Sequence, residues 1–133
     1  MLIINSCENT PPPALSIAKV EWATYNNERV GYKLQYPAAF NLKTDLNGKD
    51  LLLKHGGFPV MAINYTNENE AHDRGLWADH EPVGNIILAN KKGKKYVYNY
   101  FNGPFFMRTL SYVIEYQSHF LAVEFRTENE TID

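Results

Sequence analysis

The sequence predicts an α+β domain: an antiparallel sheet of about eight strands built from consecutive hairpins, with one short helix. Three observations carry that prediction. Residues 109–126 alternate between apolar and polar side chains with the period of a pleated strand. Apolar runs earlier in the chain are separated by short Gly-, Asn- and Lys-containing turns. Aromatic residues make up 14% of the chain, with nine Tyr and seven Phe, which favours pleated, half-buried surfaces.

At 133 residues the chain suits one domain, read as residues 15–133 behind a Pro-containing tail over 1–14. The tail lacks an amphipathic period and is expected to be unstructured. The first hairpin joins Lys19–Tyr25 to Tyr32–Tyr36 through Asn26-Asn27-Glu28-Arg29, and Pro37 ends its second strand for want of an N–H. A second turns at Gly56-Gly57, between Leu51-Leu52-Leu53 and Val60-Met61-Ala62-Ile63.

The candidate helix lies in Asn67–Glu81, with Asn67 or Asn69 as cap, Glu68 and Glu70 in its first turn, and Pro82 beyond it. Gly75, in its middle, weakens it. A third hairpin spans Val83–Phe101, with Asn90-Lys91-Lys92-Gly93-Lys94 as a polar turn. The C-terminal hairpin folds at Gln117-Ser118 and sets Tyr116 opposite His119, Ile114 opposite Leu121, Tyr112 opposite Val123 and Leu110 opposite Phe125. Its register is determined, because a one-residue slip would expose the whole apolar face. Glu124 falls on the other face, where Glu124→Asp is expected to be nearly silent.

A net charge of −2 gives no general attraction to nucleic acid or anionic lipid, so a nucleic-acid role is disfavoured. One cysteine, Cys7, excludes an intramolecular disulfide and a Cys-based zinc cluster. No apolar run is long enough to span a bilayer, and Met1–Ile4 lacks the charged n-region and full h-region of a signal peptide. Ile4-Asn5-Ser6-Cys7 resembles the end of a bacterial lipobox, which makes Cys7 a candidate lipidation site. Pro11-Pro12-Pro13 favours polyproline II, and a tether from Cys7 to Leu15 would reach roughly 25 Å. Any membrane association is expected only through a lipid on Cys7.

The segment Tyr25…Gly31-Tyr32-Lys33-Leu34-Gln35-Tyr36-Pro37-Ala38-Ala39-Phe40 resembles the opening of PsbP-like domains. Lys94–Tyr98, Arg108–Tyr116 and Phe120–Phe125 are similar to that family's closing strands. The resemblance implies an antiparallel sheet flanked by helices and a role in binding or assembly rather than catalysis. Members of the family assist photosystem II, bind a small GTPase, or belong to the bacterial envelope. The chain departs from the pattern at Thr127–Asp133, too polar and short to supply the family's closing helix.

His72, Asp73, Asp79, His80 and Glu81 are metal-ligand and acid–base types gathered in one segment. On a continuous helix His72 and His80 would stand about 12 Å apart. Ligands of one ion lie only about 2 Å from it. They converge only if Gly75 breaks the helix, so no metal site is expected. His55 and His119 fall at turns and read as exposed polar residues. A Gly-x-Ser-x-Gly elbow and a Gly-rich phosphate loop are both missing, and neither a catalytic group nor a cofactor is assigned.

The surface expected to meet a partner is the hairpin with Lys91, Lys92, Lys94 and Lys95 beside Tyr96, Tyr98 and Tyr100. The connection Asn102–Met107, with Phe105 and Phe106, continues it. The reading that follows is a non-enzymatic binding or assembly module, exported to the cell envelope, with a protein partner or self-association through those aromatics. Its rivals are a small metal-dependent enzyme using His72–Glu81 and a cytosolic protein-interaction domain.

Overall fold

A computed structural model describes residues 2–5, 20–102 and 105–128 of the chain. Its strands are β1 (Leu2–Asn5), β2 (Trp22–Asn27), β3 (Tyr32–Pro37), β4 (Asn41–Asp45), β5 (Asp50–His55) and β6 (Phe58–Thr66). The helix α1 (Glu68–Asp73) and a 3-10 turn at Trp77–Asp79 follow. The chain continues through β7 (Gly84–Leu88), β8 (Lys91–Asn102), β9 (Phe105–Tyr116) and β10 (His119–Glu128). These strands form a seven-stranded sheet in the order β4-β5-β6-β10-β9-β8-β7 and a three-stranded sheet in the order β1-β3-β2. The fold is therefore α+β and dominated by antiparallel sheet, as the alternation in the sequence predicts.

The C-terminal hairpin has the expected register, with Tyr116 opposite His119, Ile114 opposite Leu121, Tyr112 opposite Val123 and Leu110 opposite Phe125. Gln117 and Ser118 both take positive φ, 50° and 66°, the backbone of a two-residue type I′ turn. The same geometry recurs at Ala89 and Asn90, with φ of 50° and 66°. That corrects the third hairpin: it turns at Ala89-Asn90, and Lys91–Lys95 lie in β8 rather than in a loop. Gly93 is required there, since a Cβ on it would stand 2.2 Å from the Val113 carbonyl oxygen.

Further differences concern the termini and the helix. Leu2–Asn5, expected within an unstructured tail, pairs in parallel with β3 from Leu2↔Tyr32 to Asn5↔Gln35. The candidate helix is only six residues long. Asn67 caps it, its side chain accepting the Glu70 N–H at 2.8 Å. Gly75 ends it with φ of 70°, a conformation that glycine adopts at little cost. The connection after β8 is shorter than expected, because β8 extends to Asn102 and β9 begins at Phe105.

Both faces of the large sheet are covered. On one, Tyr32 and Leu34 of the small sheet pack with Leu51, Leu53, Met61, Ile63, Ile114, Leu121 and Val123. Two polar ties hold that packing. Tyr116 Oη donates to the Gly31 carbonyl at 2.6 Å. The Asn27 side chain accepts Val30 N–H at 2.9 Å and donates to the Gly48 carbonyl at 2.7 Å. On the other face, Ala71, Leu76 and Trp77 cover Tyr96, Tyr98, Val113 and Ala122.

Two outcomes follow from this packing. Val123 is 1% exposed, so Val123→Asp would bury an unpaired carboxylate and should cost at least ~3 kcal/mol in urea unfolding. Burial holds the Tyr32 hydroxyl well above the ordinary phenol range, and Tyr25 and Tyr96 shift the same way. The unfolded phenol ionises near about pH 10. The folded form therefore keeps its full stability below that pH and loses it as pH rises further. Tyr32→Phe should make unfolding measurably less alkali-sensitive above about pH 10. An unchanged alkaline slope would show that Tyr32 does not couple folding to pH.

Candidate functional site on the helix-covered face

Strand alternation sends Phe120, Ala122, Glu124 and Arg126 of β10 toward the helix side. Thr109, Ser111 and Val113 of β9 lie beside them in register, followed by Tyr96 and Tyr98 of β8. Asn64 and Thr66 of β6 complete the face from the other flank, opposite Ala122 and Phe120.

Glu124 is fully buried at its centre. One carboxylate oxygen, Oε1, accepts from Asn64 Nδ2 at 2.8 Å and Arg126 Nη2 at 3.0 Å. The other, Oε2, accepts from Tyr98 Oη. Donors from three strands thus compensate a charge that would otherwise be costly to bury. The hydroxyls of Thr66, Thr109 and Ser111 are buried on the same face and find no hydrogen-bond partner among the described residues. The solvent-facing placement behind the expected silence of Glu124→Asp is overturned, because Ala71, Leu76 and Trp77 cover the face on which Glu124 lies.

The histidine segment folds over this cluster. With the helix broken at Gly75, His72 Nδ1 reaches Asp79 Oδ1. His80 leaves that pair and stacks on Tyr98, ring centroids 4.5 Å apart and planes 12° from parallel. Among the described residues, no group of three or more His, Cys, Asp or Glu is placed to hold a metal ion. The two turn histidines also stack on rings, His55 on Phe40 and His119 on Tyr65.

The expected partner-facing aromatics fare differently. Tyr96 and Tyr98 are 7% and 3% exposed, so neither offers its ring to the surface. Tyr96 packs against Trp77, while Tyr98 lies between Glu124 and His80. Tyr100, Phe105 and Phe106 belong to β8 and β9, but their side chains lie outside the described residues, as does Cys7. The lysines divide between the two faces. Lys91 sits 6.0 Å from the Tyr116 ring, whereas Lys92 and Lys94 border a hollow on the helix side.

That hollow, of about 210 Å³, is lined by Trp77, Tyr96, Phe120, Val113, Glu115, Gly93 and the two lysines. A second, of about 350 Å³, lies over the β4–β6 flank, with Asn64 and Arg126 in its lining. Trp77, Asn64, Glu124 and Arg126 are the residues that sequence reasoning missed. Their signal is weak: a helix that must cover something, opposite strands whose polar positions include Thr109 and Ser111.

No protein-family model, curated protein or solved structure matches the chain. Among the described residues, no helix is long and apolar enough to cross a membrane.

The Glu124 cluster is testable by unfolding. Glu124→Ala leaves Arg126 buried without its carboxylate and should cost about 3–5 kcal/mol. Tyr98→Phe removes one donor and should cost about 1–3 kcal/mol. The double variant should cost less than the sum, because both changes remove the same bond. Additive costs would show that Tyr98 and Glu124 act independently.

Proposed function

We propose that this protein is a non-enzymatic binding or assembly module of the bacterial cell envelope, PsbP-like in kind and tethered by a lipid on Cys7. Its partner, on this reading, is a protein that presents an acidic group beside an apolar side chain. The observation that carries the reading is the hollow where Lys92 and Lys94 flank Trp77, Tyr96 and Phe120. Half-buried Phe120 supplies the apolar contact that anchors a partner's side chain, and the exposed lysines at the rim steer an acidic one. Glu115, in the same lining, disfavours a partner whose surface is uniformly acidic.

The buried carboxylate supports binding over catalysis. Glu124 is enclosed, and both of its oxygens accept hydrogen bonds from protein donors, so it is poorly disposed to exchange a proton with a substrate.

The test is a photo-crosslinking amino acid at position 94 in the full gene product, expressed in its native cell. One discrete protein adduct in the envelope fraction is expected, together with acyl labelling that disappears on Cys7→Ser. Lys92→Glu should abolish the adduct while leaving the thermal midpoint unchanged. Failure to crosslink, or an adduct indifferent to Lys92→Glu, would overturn the docking assignment.

A further inference from the structure

The hollow of about 350 Å³ over the β4–β6 flank shares Arg74 with a neighbour of about 440 Å³. The first is lined by Lys43, Asp45, Asp50, Asn64, Arg74 and Arg126, with Leu52 and Ala62 supplying apolar wall. The second is lined by Arg29, Asn47, Lys49, Glu70 and Arg74. Together they present five cationic side chains against three lining carboxylates, with Glu124 beneath Arg126 as a fourth. Two of the lining carboxylates are engaged with Arg74 itself. Asp50 takes it bidentately, at 2.8 and 3.2 Å, and Glu70 lies 3.8 Å away. The whole chain carries a charge of −2, so this local positive excess runs against the average surface.

The groove is also built from beneath. Arg126 has an 8% exposed side chain and is positioned by Glu124, and Asn64, 4% exposed, is positioned by the same carboxylate. Buried carboxylates that orient arginine guanidinium groups produce the fixed, planar donors suited to a tetrahedral oxyanion. Apolar wall beside a few converging polar groups is the usual make-up of a small-ligand site, and about 350 Å³ lies within the usual size range.

We infer that the two hollows flanking Arg74 form one groove that binds a phosphate group carried on a small organic body. Arg74 stands at the shared wall, Lys43 and Arg126 serve one side, and Arg29 and Lys49 serve the other. Leu52 and Ala62 receive the organic portion. The phosphate can come from a soluble phosphate ester or from a phospholipid headgroup, since the recognising chemistry is the same. This groove is separate from the Lys92–Lys94 hollow, so the two assignments stand or fall apart.

The experiment titrates glycerol 3-phosphate into the isotopically labelled full chain at low salt, reading amide shifts. Saturable shifts are expected over Lys43–Leu52 and Glu70–Arg74. Arg74→Gln should weaken binding by roughly tenfold or more, as loss of a charge-assisted hydrogen bond implies. Lys43→Gln combined with Lys49→Gln, the first exposed and the second half-buried, covers the case in which Arg74→Gln disturbs α1. That pair should weaken binding by a comparable factor without moving the thermal midpoint. Lys91→Gln combined with Lys95→Gln removes the same charge elsewhere and should leave affinity within about twofold.

Flotation with phosphatidic acid vesicles in phosphatidylcholine separates the sources. Binding to vesicles and to the soluble ester assigns a headgroup site, and binding to the ester alone assigns a soluble ligand. Absence of saturable shifts together with absence of vesicle binding, or equal losses in the remote lysine control, would overturn the proposal.

Discussion

The ladder between β6 and β10 is the constraint on which the rest of the structure depends. The large sheet consists of two antiparallel meanders, β4-β5-β6 and β7-β8-β9-β10, and this ladder joins them. It runs from Thr66 opposite Phe120 to Met61 opposite Phe125. Closing it requires contacts between residues more than fifty positions apart, which carries an entropic cost that local hairpins avoid. Burial of apolar surface on both sides of the junction offsets that cost. Met61, Ile63, Leu121 and Val123 sit under the small sheet, while Ala122 sits under Trp77 and its neighbours.

The buried polar cluster specifies the same junction. Glu124 comes from β10 and Asn64 from β6, so their hydrogen bond spans the ladder that closes the sheet. Tyr98 extends the cluster to β8, two strands away from β10. A slipped register would leave a buried carboxylate facing the wrong donors, a much larger penalty than the loss of one hydrogen bond. The cluster acts as a register pin in the middle of an otherwise apolar interior. Its lower flank also orients Arg126 and Asn64 toward the hollow beside β4 and β5. One carboxylate thus links the closure of the fold to the shape of a surface site.

The helix face explains why the chain's chemistry-bearing residues end where they do. Gly75 stops α1 after six residues, and the 3-10 turn that follows lowers Trp77 onto Tyr96 and Phe120. The same break brings His72 to Asp79 and sends His80 onto Tyr98. Residues that look like one cluster in the sequence are therefore dispersed in space. The four lysines of β8 are likewise divided, because a strand projects successive side chains to opposite faces. Only Lys92 and Lys94 remain beside the aromatic hollow.

What the sequence determined by itself is the local geometry. Period-two alternation set the C-terminal hairpin and its register, residue for residue from Leu110 to Phe125. A cap at Asn67 or Asn69, Pro37 as a strand end and Gly75 as the weak point of the helix were readable for the same reason: each acts through its own backbone and nearest neighbours. The turn at Ala89-Asn90 escaped notice because alanine gives no sign of a left-handed conformation, and the polar Asn90–Lys94 run offered a stronger false signal. Tertiary structure alone decided which polar residues lie inside. Glu124 reads as solvent-facing on an isolated hairpin, and it is buried only because α1, β6 and β8 arrive from distant parts of the chain. Alternation assigns a side chain to a face, but whether that face meets water depends on what packs against it, and packing is a long-range property.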